Sequence, residues 1–295
     1  MTEHEGDLEE LVARLRPQLL RYCARMVGSI VDGEDIVQDA CLKAMAAWQT
    51  SGPTVNPQGW LFRIVHNAAL DFLRRRQRQP EQPSNAALVG LPASSPPDRD
   101  VAATSLQTFL RLPALQRSAV ILKDVLGHSI EEVAAITGTS GPAAKSALQR
   151  ARARLRAFAA EPEDTPPPVL TDRQRSRLLA YVDGFRHGDF DAVRAMLADD
   201  VRLDLVAKVE LKGKAQVREY YERYAACDRW AYAAGFADGR AAMLVYDREA
   251  SLQTPAHFVA LEFGPEGVRS IHDFLFASYA LEGASYGVFQ DSVRT

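Results

Sequence analysis

One stretch of this 295-residue sequence places basic and amide side chains at helical spacing, in a pattern suited to nucleic-acid binding. At about 100° per residue, its polar residues share one face of a helix. They are Arg63, Asn67, Asp71, Arg74, Arg75 and Arg78. Arginine binds phosphate and an asparagine amide can read a base edge. Aromatic neighbours at Trp60, Phe62 and Phe72 can support an unpaired base, although the solvated face of an ordinary helix gives the same pattern.

A second basic stretch follows at 142–160 and contains no acidic residue. Lys145, Gln149, Arg152 and Arg156 share a helical face, and Arg150 and Arg154 flank it. A helix that enters the major groove presents its N-terminal half to the bases. Lys145 and Gln149 are therefore the candidate base readers, and the later arginines are better placed for phosphates.

A third surface has the opposite character. Asp35, Gln38 and Asp39 stand at i, i+3 and i+4, so they form an acidic and amide face on one helix. This face suits a basic protein partner. An ordinary solvated face remains an equal alternative on these residues alone.

The overall charge conceals these surfaces, because the formal net charge is −3 while two helical stretches are strongly basic. No apolar run reaches the roughly 18 residues of a membrane helix, and the acidic N-terminus does not resemble a signal peptide. We therefore expect a cytoplasmic protein with no membrane association. Three cysteines without CxxC spacing predict buried thiols, and no metal or cofactor is expected.

Two proline-rich stretches, 79–100 and 161–168, are predicted to be linkers between three blocks at 6–78, 101–160 and 169–295. Apolar residues recur every three or four positions in the first block, which predicts helices. In the second block, Ser129 and Glu132 form a capping box, Gly138 supplies a turn and Ser140 caps the next helix, as in a helix-turn-helix. The third block is predicted to contain helices followed by a mostly antiparallel sheet, an α+β pattern, with strands at 201–206, 231–236, 241–246, 257–263 and 268–276.

The order of these features resembles the extracytoplasmic-function (ECF) sigma factors. Three segments carry the resemblance: DGEDIVQDACLKAMAAW, NPQGWLFRIVHNAALDFLRRR, and the stretch from LPALQRSAV to ALQRARARLR. The resemblance implies two all-α sigma domains, the second a helix-turn-helix. It implies that Asp35, Gln38 and Asp39 bind the beta-prime clamp helices of core RNA polymerase, and that the second domain meets the beta flap.

For promoter DNA, the resemblance assigns two groups of residues. The minus-ten group is Arg63, Asn67, Asp71, Arg74 and Arg75. The minus-thirty-five group is Ser140, Lys145, Gln149, Arg150 and Arg152. Alanines at 143, 144 and 147 depart from the larger or polar residues common in the family, so fewer direct base contacts and more shape readout are expected.

The third block resembles the SnoaL-like domains, which have a cone-shaped α+β fold. Trp230, Tyr246, His257 and His272 are the candidates for a pocket there, whereas adjacent His272 and Asp273 must point to opposite faces of a strand. The resemblance implies a domain that docks on the sigma domains and regulates them in place of a separate anti-sigma factor. We expect no catalytic residues. Two alternatives remain: a helix-turn-helix regulator that senses a ligand, and a cyclase-type enzyme with a DNA-binding appendage.

Overall fold

The computed structural model describes residues 3–51, 55–78, 104–158 and 170–289. The chain divides into two compact units, Met1–Asp164 and Thr165–Thr295. The first contains helices and the second contains a sheet with helices, which confirms the predicted fold class. The predicted linkers at 79–100 and 161–168 lie outside the described residues. No helix in the described ranges is long and apolar enough to cross a lipid bilayer.

The first unit consists of seven named α-helices among the described residues, with one π-helical turn at Ile121–Val125. The helices are α1 (Glu3–Val27), α2 (Ile30–Ser51), α3 (Pro57–Arg78), α4 (Leu106–Leu110), α5 (Ala114–Val120), α6 (Ile130–Thr137) and α7 (Gly141–Phe158). The predicted apolar stripes of α1 and α2 are largely buried. In α3 the fully buried positions are Leu61, Phe62, Val65 and Ala69, while Trp60, Ile64, Ala68 and Phe72 pack only partly against the same core.

Two glycines set the angle between the first two helices. Gly28 ends α1 with a φ of 77°, a conformation that favours glycine, and Leu110 packs directly against it. Gly33 lies inside α2. A Cβ atom at Gly33 would stand 2.8 Å from the backbone nitrogen of Ala24, so glycine permits the close approach of α1 and α2.

The helices before and after the predicted linker share one hydrophobic core. Helix α1 packs against α4 and α5, and α3 packs against α6. The Phe62 ring of α3 contacts the His128 ring, just before α6, edge-on at 4.7 Å. The two predicted sigma domains therefore form one packed body in this structure.

A buried cation lies within this junction. The Arg117 guanidinium of α5 donates hydrogen bonds to the carbonyl oxygens of Met26, Leu110 and Leu112, the last two at 2.8 Å. Met26 lies in the last turn of α1, where carbonyl groups lack helical partners. Arg117 thus joins the end of α1 to the helices after the linker.

A second polar contact connects α1 with α3. The Tyr22 hydroxyl lies 2.6 Å from Nδ1 of His66, and both residues are buried. Burial raises the pKa of Tyr22, so the hydroxyl stays protonated and donates a hydrogen bond to the imidazole. Burial, with a smaller effect from the Arg74 charge, lowers the pKa of His66 to about 4.

The helix-turn-helix forms as predicted. Ser129 Oγ accepts from the backbone nitrogen of Glu132, and the Glu132 carboxylate accepts from the Ser129 nitrogen at 2.7 Å. Gly138 ends α6 in the left-handed conformation, with a φ of 67°. Ser140 Oγ then accepts from the Ala143 nitrogen at 3.4 Å and caps α7.

The second unit contains a seven-stranded sheet in the order β2-β1-β6-β5-β4-β3-β7. Its strands are β1 (Leu197–Leu205), β2 (Val209–Lys212), β3 (Trp230–Ala237), β4 (Arg240–Asp247), β5 (His257–Phe263), β6 (Val268–Asp273) and β7 (Tyr286–Val288). Its helices are α8 (Asp172–His187), α9 (Phe190–Ala195) and α10 (Lys214–Ala225). All pairings are antiparallel except that of β1 with β6.

Two features of the second unit differ from the prediction. Strands β2 and β7 were not predicted, because both are short and lie at the sheet edges. The strand expected at 268–276 ends at Asp273, whose carboxylate accepts from the Leu275 backbone nitrogen and turns the chain away from the sheet. Helices α8 and α10 pack on the sheet and enclose its core.

Candidate nucleic-acid interface

The acidic face of α2 lies on the surface. Asp35 and Asp39 are exposed and Gln38 is half-buried. Glu34 differs, because it is fully buried and pairs with Arg16 of α1. Glu34 therefore belongs to the core, whereas the three predicted residues remain accessible to another macromolecule.

The polar stripe of α3 is exposed along its whole length. Its members are Arg63, Asn67, Asp71, Arg74 and Arg75. Arg74 donates to Asp71 at 2.7 Å, but both side chains are more than 60% exposed, so this pair contributes little stability and can exchange for a phosphate contact. The stripe brings cationic groups and one amide together on a single face.

The aromatic residues beside this stripe are less available than expected. Phe62 was a candidate for stacking on an unpaired base, and this expectation is wrong because its ring is fully buried against Tyr22 and His128. Trp60 is half-buried, and its ring packs at 5.5 Å from that of Trp48. Trp60 and Phe72 keep exposed edges, whereas Phe62 supports α3 from the core.

Helix α7 presents a second basic surface. Lys145, Gln149 and Arg150 are exposed, while Ala147 and Leu148 between them are buried against the unit. Among the described residues, neither Lys145 nor Arg150 has an ion-pair partner. Ser140 at the start of the helix is exposed as well. The N-terminal half of α7 therefore has free donors on its outer face.

Arg152 is held differently. Its guanidinium makes a bidentate ion pair with Asp124, with Nε–Oδ2 at 2.8 Å and Nη2–Oδ1 at 2.5 Å. Hydrogen bonding to Asp124 raises the pKa of Arg152, so it stays charged. Asp124 lies in the π-helical turn, which the sequence pattern did not predict. A phosphate must compete with this carboxylate for Arg152.

The sheet of the second unit separates the four pocket candidates. Strand register places Trp230 beside Asp247 and His257 beside Val245, on the face that α10 covers. Tyr246 and His272 each stand one residue out of phase with that face, so they point to the opposite side. The prediction that all four residues line one pocket is therefore wrong for Tyr246 and His272.

A buried polar network lies on the covered face. Tyr224 of α10 donates to Asp273 Oδ2 at 2.8 Å, and its oxygen lies 3.1 Å from His257 Nε2. The hydroxyl proton is directed to the carboxylate, so the imidazole supplies the proton at Nε2. Burial lowers the pKa of His257, against a smaller opposing effect of Asp273, so the ring is neutral. Burial, followed by the Asp273 charge, raises the pKa of Tyr224.

A cavity of about 60 Å³ lies beside this network. Leu205, Tyr220, Arg223, Tyr224, Trp230, Leu275 and Phe276 line it. Of the four predicted pocket residues, Trp230 lines the cavity and His257 supports it, with its ring edge-on to Trp230 at 5.3 Å. The remaining lining residues come from β1, α10 and the segment after β6.

Comparison with known proteins accounts for this combination of surfaces. Three family models match the chain: Sigma-70 region 2 over residues 11–79, Sigma-70 region 4 over 106–155, and SnoaL-like domain over 178–272. The chain is 33% identical over 147 residues to the ECF RNA polymerase sigma factor SigM of Mycobacterium tuberculosis, a match that covers 50% of this chain and 74% of SigM. The chain belongs to the ECF RNA polymerase sigma factors.

Other members of the family are also similar to this sigma factor. ECF RNA polymerase sigma factor SigG of Mycobacterium tuberculosis is 29% identical over 216 residues, which cover 64% of this chain and 58% of SigG. The chain therefore spans less than two thirds of that relative. A crystal structure of the Mycobacterium tuberculosis sigma factor SigJ aligns with 90% of this chain and 95% of its own, at 23% identity and a TM-score of 0.35.

Several residues of this sigma factor that shape its surfaces were not identified from the sequence. Asp124 follows Lys123 and Arg117 lies between Gln116 and Ser118, so no local pattern separates either from a surface charge. Tyr224 belongs to the aromatic run Tyr220, Tyr221 and Tyr224 on α10. That i, i+1 and i+4 spacing was the available signal that one aromatic face of α10 covers the sheet.

Proposed function

We propose that this sigma factor binds core RNA polymerase, recognises minus-thirty-five and minus-ten promoter elements and initiates transcription. The observation that supports the proposal is the presence of two separate exposed basic helical faces, on α3 and α7, in a chain of this family. A single helix-turn-helix regulator would use only α7. The exposed faces of α2 and α3 would then have no role.

At the minus-ten element, the proposed roles follow from side-chain chemistry. Arg63, Arg74 and Arg75 bind phosphates on the strand that α3 follows. Asn67, near the middle of the stripe, contacts the edge of a base that has left the stack. Asn67→Ala is therefore expected to reduce promoter melting more than initial binding.

At the minus-thirty-five element, α7 enters the major groove. Lys145 and Gln149 are proposed to face the bases, with Ser140 and Arg150 at the backbone. Arg152 also contacts the DNA backbone if a phosphate displaces Asp124. The small side chains at 143, 144 and 147 leave room for close approach but offer no hydrogen bonds, so groove shape contributes to recognition.

The packed arrangement of the first unit must open for both elements to be read together. Helix α6 contacts both α3 and α7, and packed helix axes lie roughly 8–10 Å apart, so α7 lies within about 20 Å of α3. Elements about 25 base pairs apart lie roughly 85 Å apart along B-form DNA, at about 3.4 Å per pair. The segment at 79–100 would span roughly 75 Å when extended. We infer that polymerase binding separates the two halves and that this segment bridges them.

The acidic face of α2 is the proposed contact with the beta-prime clamp helices, and the helix-turn-helix half is the proposed contact with the beta flap. Co-purification with core RNA polymerase tests the first contact. Asp39→Arg should reduce recovery of the polymerase, because it reverses the charge of the exposed face. Glu10→Arg, an equally exposed reversal on α1, is the matched control. Equal recovery with both variants would refute this contact.

The second unit is proposed to regulate the first by docking on it, in place of a separate anti-sigma factor, and not to act as an enzyme. The short segment at 161–168 supports this, because it keeps the effective concentration of the second unit high. A chain that ends after Ala160 should differ from the full chain in promoter-specific transcription with core polymerase. Identical transcription by the two proteins would exclude regulation.

A further inference from the structure

The cavity in the second unit has no part in the proposed promoter and polymerase contacts. Its walls are apolar or aromatic side chains apart from Arg223: Leu205, Tyr220, Tyr224, Trp230, Leu275 and Phe276. The Tyr224 hydroxyl is paired with Asp273 and His257, whereas the Tyr220 hydroxyl is buried without a hydrogen-bond partner among the described residues. Apart from that one hydroxyl, the interior offers an occupant carbon contacts. A site of this kind selects an alkyl group.

The buried network makes the cavity rigid. The hydrogen bonds of Tyr224 fix one wall, and the edge-on contact of His257 with Trp230 fixes another. Side chains held in this way lose little further freedom when an occupant enters, so binding is not opposed by much ordering. The cavity is thus a preformed space rather than a gap that side chains are free to close.

The mouth of the cavity is cationic. Arg223 is exposed in the last turn of α10, and among the described residues no carboxylate pairs with it. Lys208, in the turn between β1 and β2, lies over the Phe276 ring with its ammonium 5.0 Å from the ring centre. Phe276 is itself 45% exposed at this rim. Two positive groups therefore flank an exposed aromatic ring where an occupant would emerge.

We propose that this cavity binds a short aliphatic carboxylate, with its alkyl end inside and its carboxylate at Arg223. The volume limits the enclosed part. A volume of about 60 Å³ is less than half of the ~150 Å³ cavity that holds benzene. A benzene ring is too large to be enclosed, whereas the end of an alkyl chain fits, and the rest of the chain lies against Phe276.

The proposal does not depend on transcription and is tested on the full chain without polymerase. The probes are butanoate, hexanoate and hexanamide. Their binding is measured from the indole N–H signals of the three tryptophans in NMR spectra. Only the Trp230 signal should shift and saturate, at millimolar hexanoate. Each methylene that enters the cavity should tighten binding about fourfold, so hexanoate should bind more tightly than butanoate.

Two variants locate the carboxylate and the chain. Arg223→Gln should weaken hexanoate about two- to fivefold, the range for an exposed ion pair, and leave hexanamide unchanged. Arg218→Gln, one turn earlier on the same helix and also exposed, should change neither. Leu275→Phe, at a half-buried wall position, should fill the cavity and abolish binding of both probes while the circular dichroism spectrum stays native.

Three results would overturn the proposal. One is the absence of a saturable shift of the Trp230 signal with hexanoate. Another is an equal loss of affinity for hexanoate and hexanamide in Arg223→Gln, which would mean that the carboxylate is not at the mouth of the cavity. The third is undiminished binding in natively folded Leu275→Phe, which would place the probe elsewhere on the protein.

Discussion

Arg117 is expected to be one of the largest single contributors to the stability of the first unit. Its guanidinium is buried and donates to three carbonyl oxygens, one at the end of α1, one at the end of α4 and one between α4 and α5. Burial lowers the pKa of Arg117 to about 10, so it remains charged at neutral pH. Arg117→Met keeps the apolar stem but leaves those carbonyl groups without their donor.

The size of the effect follows from these contacts. A hydrogen bond to a charged group contributes roughly 1.5–3 kcal/mol, and the desolvation of the guanidinium offsets part of the total. We expect Arg117→Met to reduce the free energy of unfolding by about 3–5 kcal/mol, a large share of the ~5–15 kcal/mol typical of a domain. At about 2–4 °C per kcal/mol, the midpoint should fall by roughly 6–20 °C.

Thermal unfolding followed by far-ultraviolet circular dichroism measures this change, because the first unit contains most of the helices. Arg14→Met is the matched control, since Arg14 is exposed on α1. Its midpoint should stay close to that of the unmodified chain. If Arg117→Met unfolds at the same temperature as Arg14→Met, the two halves are not joined in solution as the structure shows.

Three further predictions concern charge. Arg150→Ala should weaken DNA binding by the polymerase holoenzyme and lower its salt slope by about one, in a salt titration; an unchanged slope would show that Arg150 does not contact the DNA backbone. Asp124→Asn should release Arg152 and raise that slope by about one, whereas a lower slope would show that the ion pair positions Arg152 productively. His66 has a pKa lowered to about 4 in the folded chain, so below about pH 6.5 the unfolded state binds more protons and stability falls as the pH is lowered. Denaturant unfolding should show a free energy of unfolding lower by about 2 kcal/mol at about pH 5, a loss that is absent in His66→Gln. Parallel dependence of this free energy on pH in the two proteins would contradict the assignment.

Much of the secondary structure follows from local patterns in the sequence. The apolar stripe of α2, with Val37, Cys41 and Trp48, faces the core as its spacing predicts. The capping box at Ser129 and Glu132 fixes the start of α6. Such features depend on neighbours three or four residues apart, which periodicity records directly.

The residues that the sequence left unidentified depend on contacts between distant segments. The Arg117 guanidinium donates a hydrogen bond to the carbonyl oxygen of Met26, which lies 91 positions earlier in the chain. The pair of Asp124 with Arg152 requires a π-helical turn, which has no simple sequence signal. These contacts become visible only when the helices are packed.

Which residues of the sheet face the pocket likewise depends on contacts between distant segments. Alternation within one strand correctly separated His272 from Asp273, but it could not relate His257 to Tyr246 on different strands. That relation depends on register, and a slip of one residue reverses the face of every side chain. Register in turn is set by the turns and the core, so only the folded sheet brings Trp230, His257 and Asp273 to one face.

The central claim is that this chain directs core RNA polymerase to promoters through α3 and α7. Transcription in vitro from a library of promoter fragments, with purified core polymerase and the full chain, tests it most directly. We expect transcripts from a defined set of start sites, loss of melted promoter with Asn67→Ala, and weaker binding with Lys145→Ala. Absence of promoter-specific transcripts, or full activity in both variants, would contradict the account.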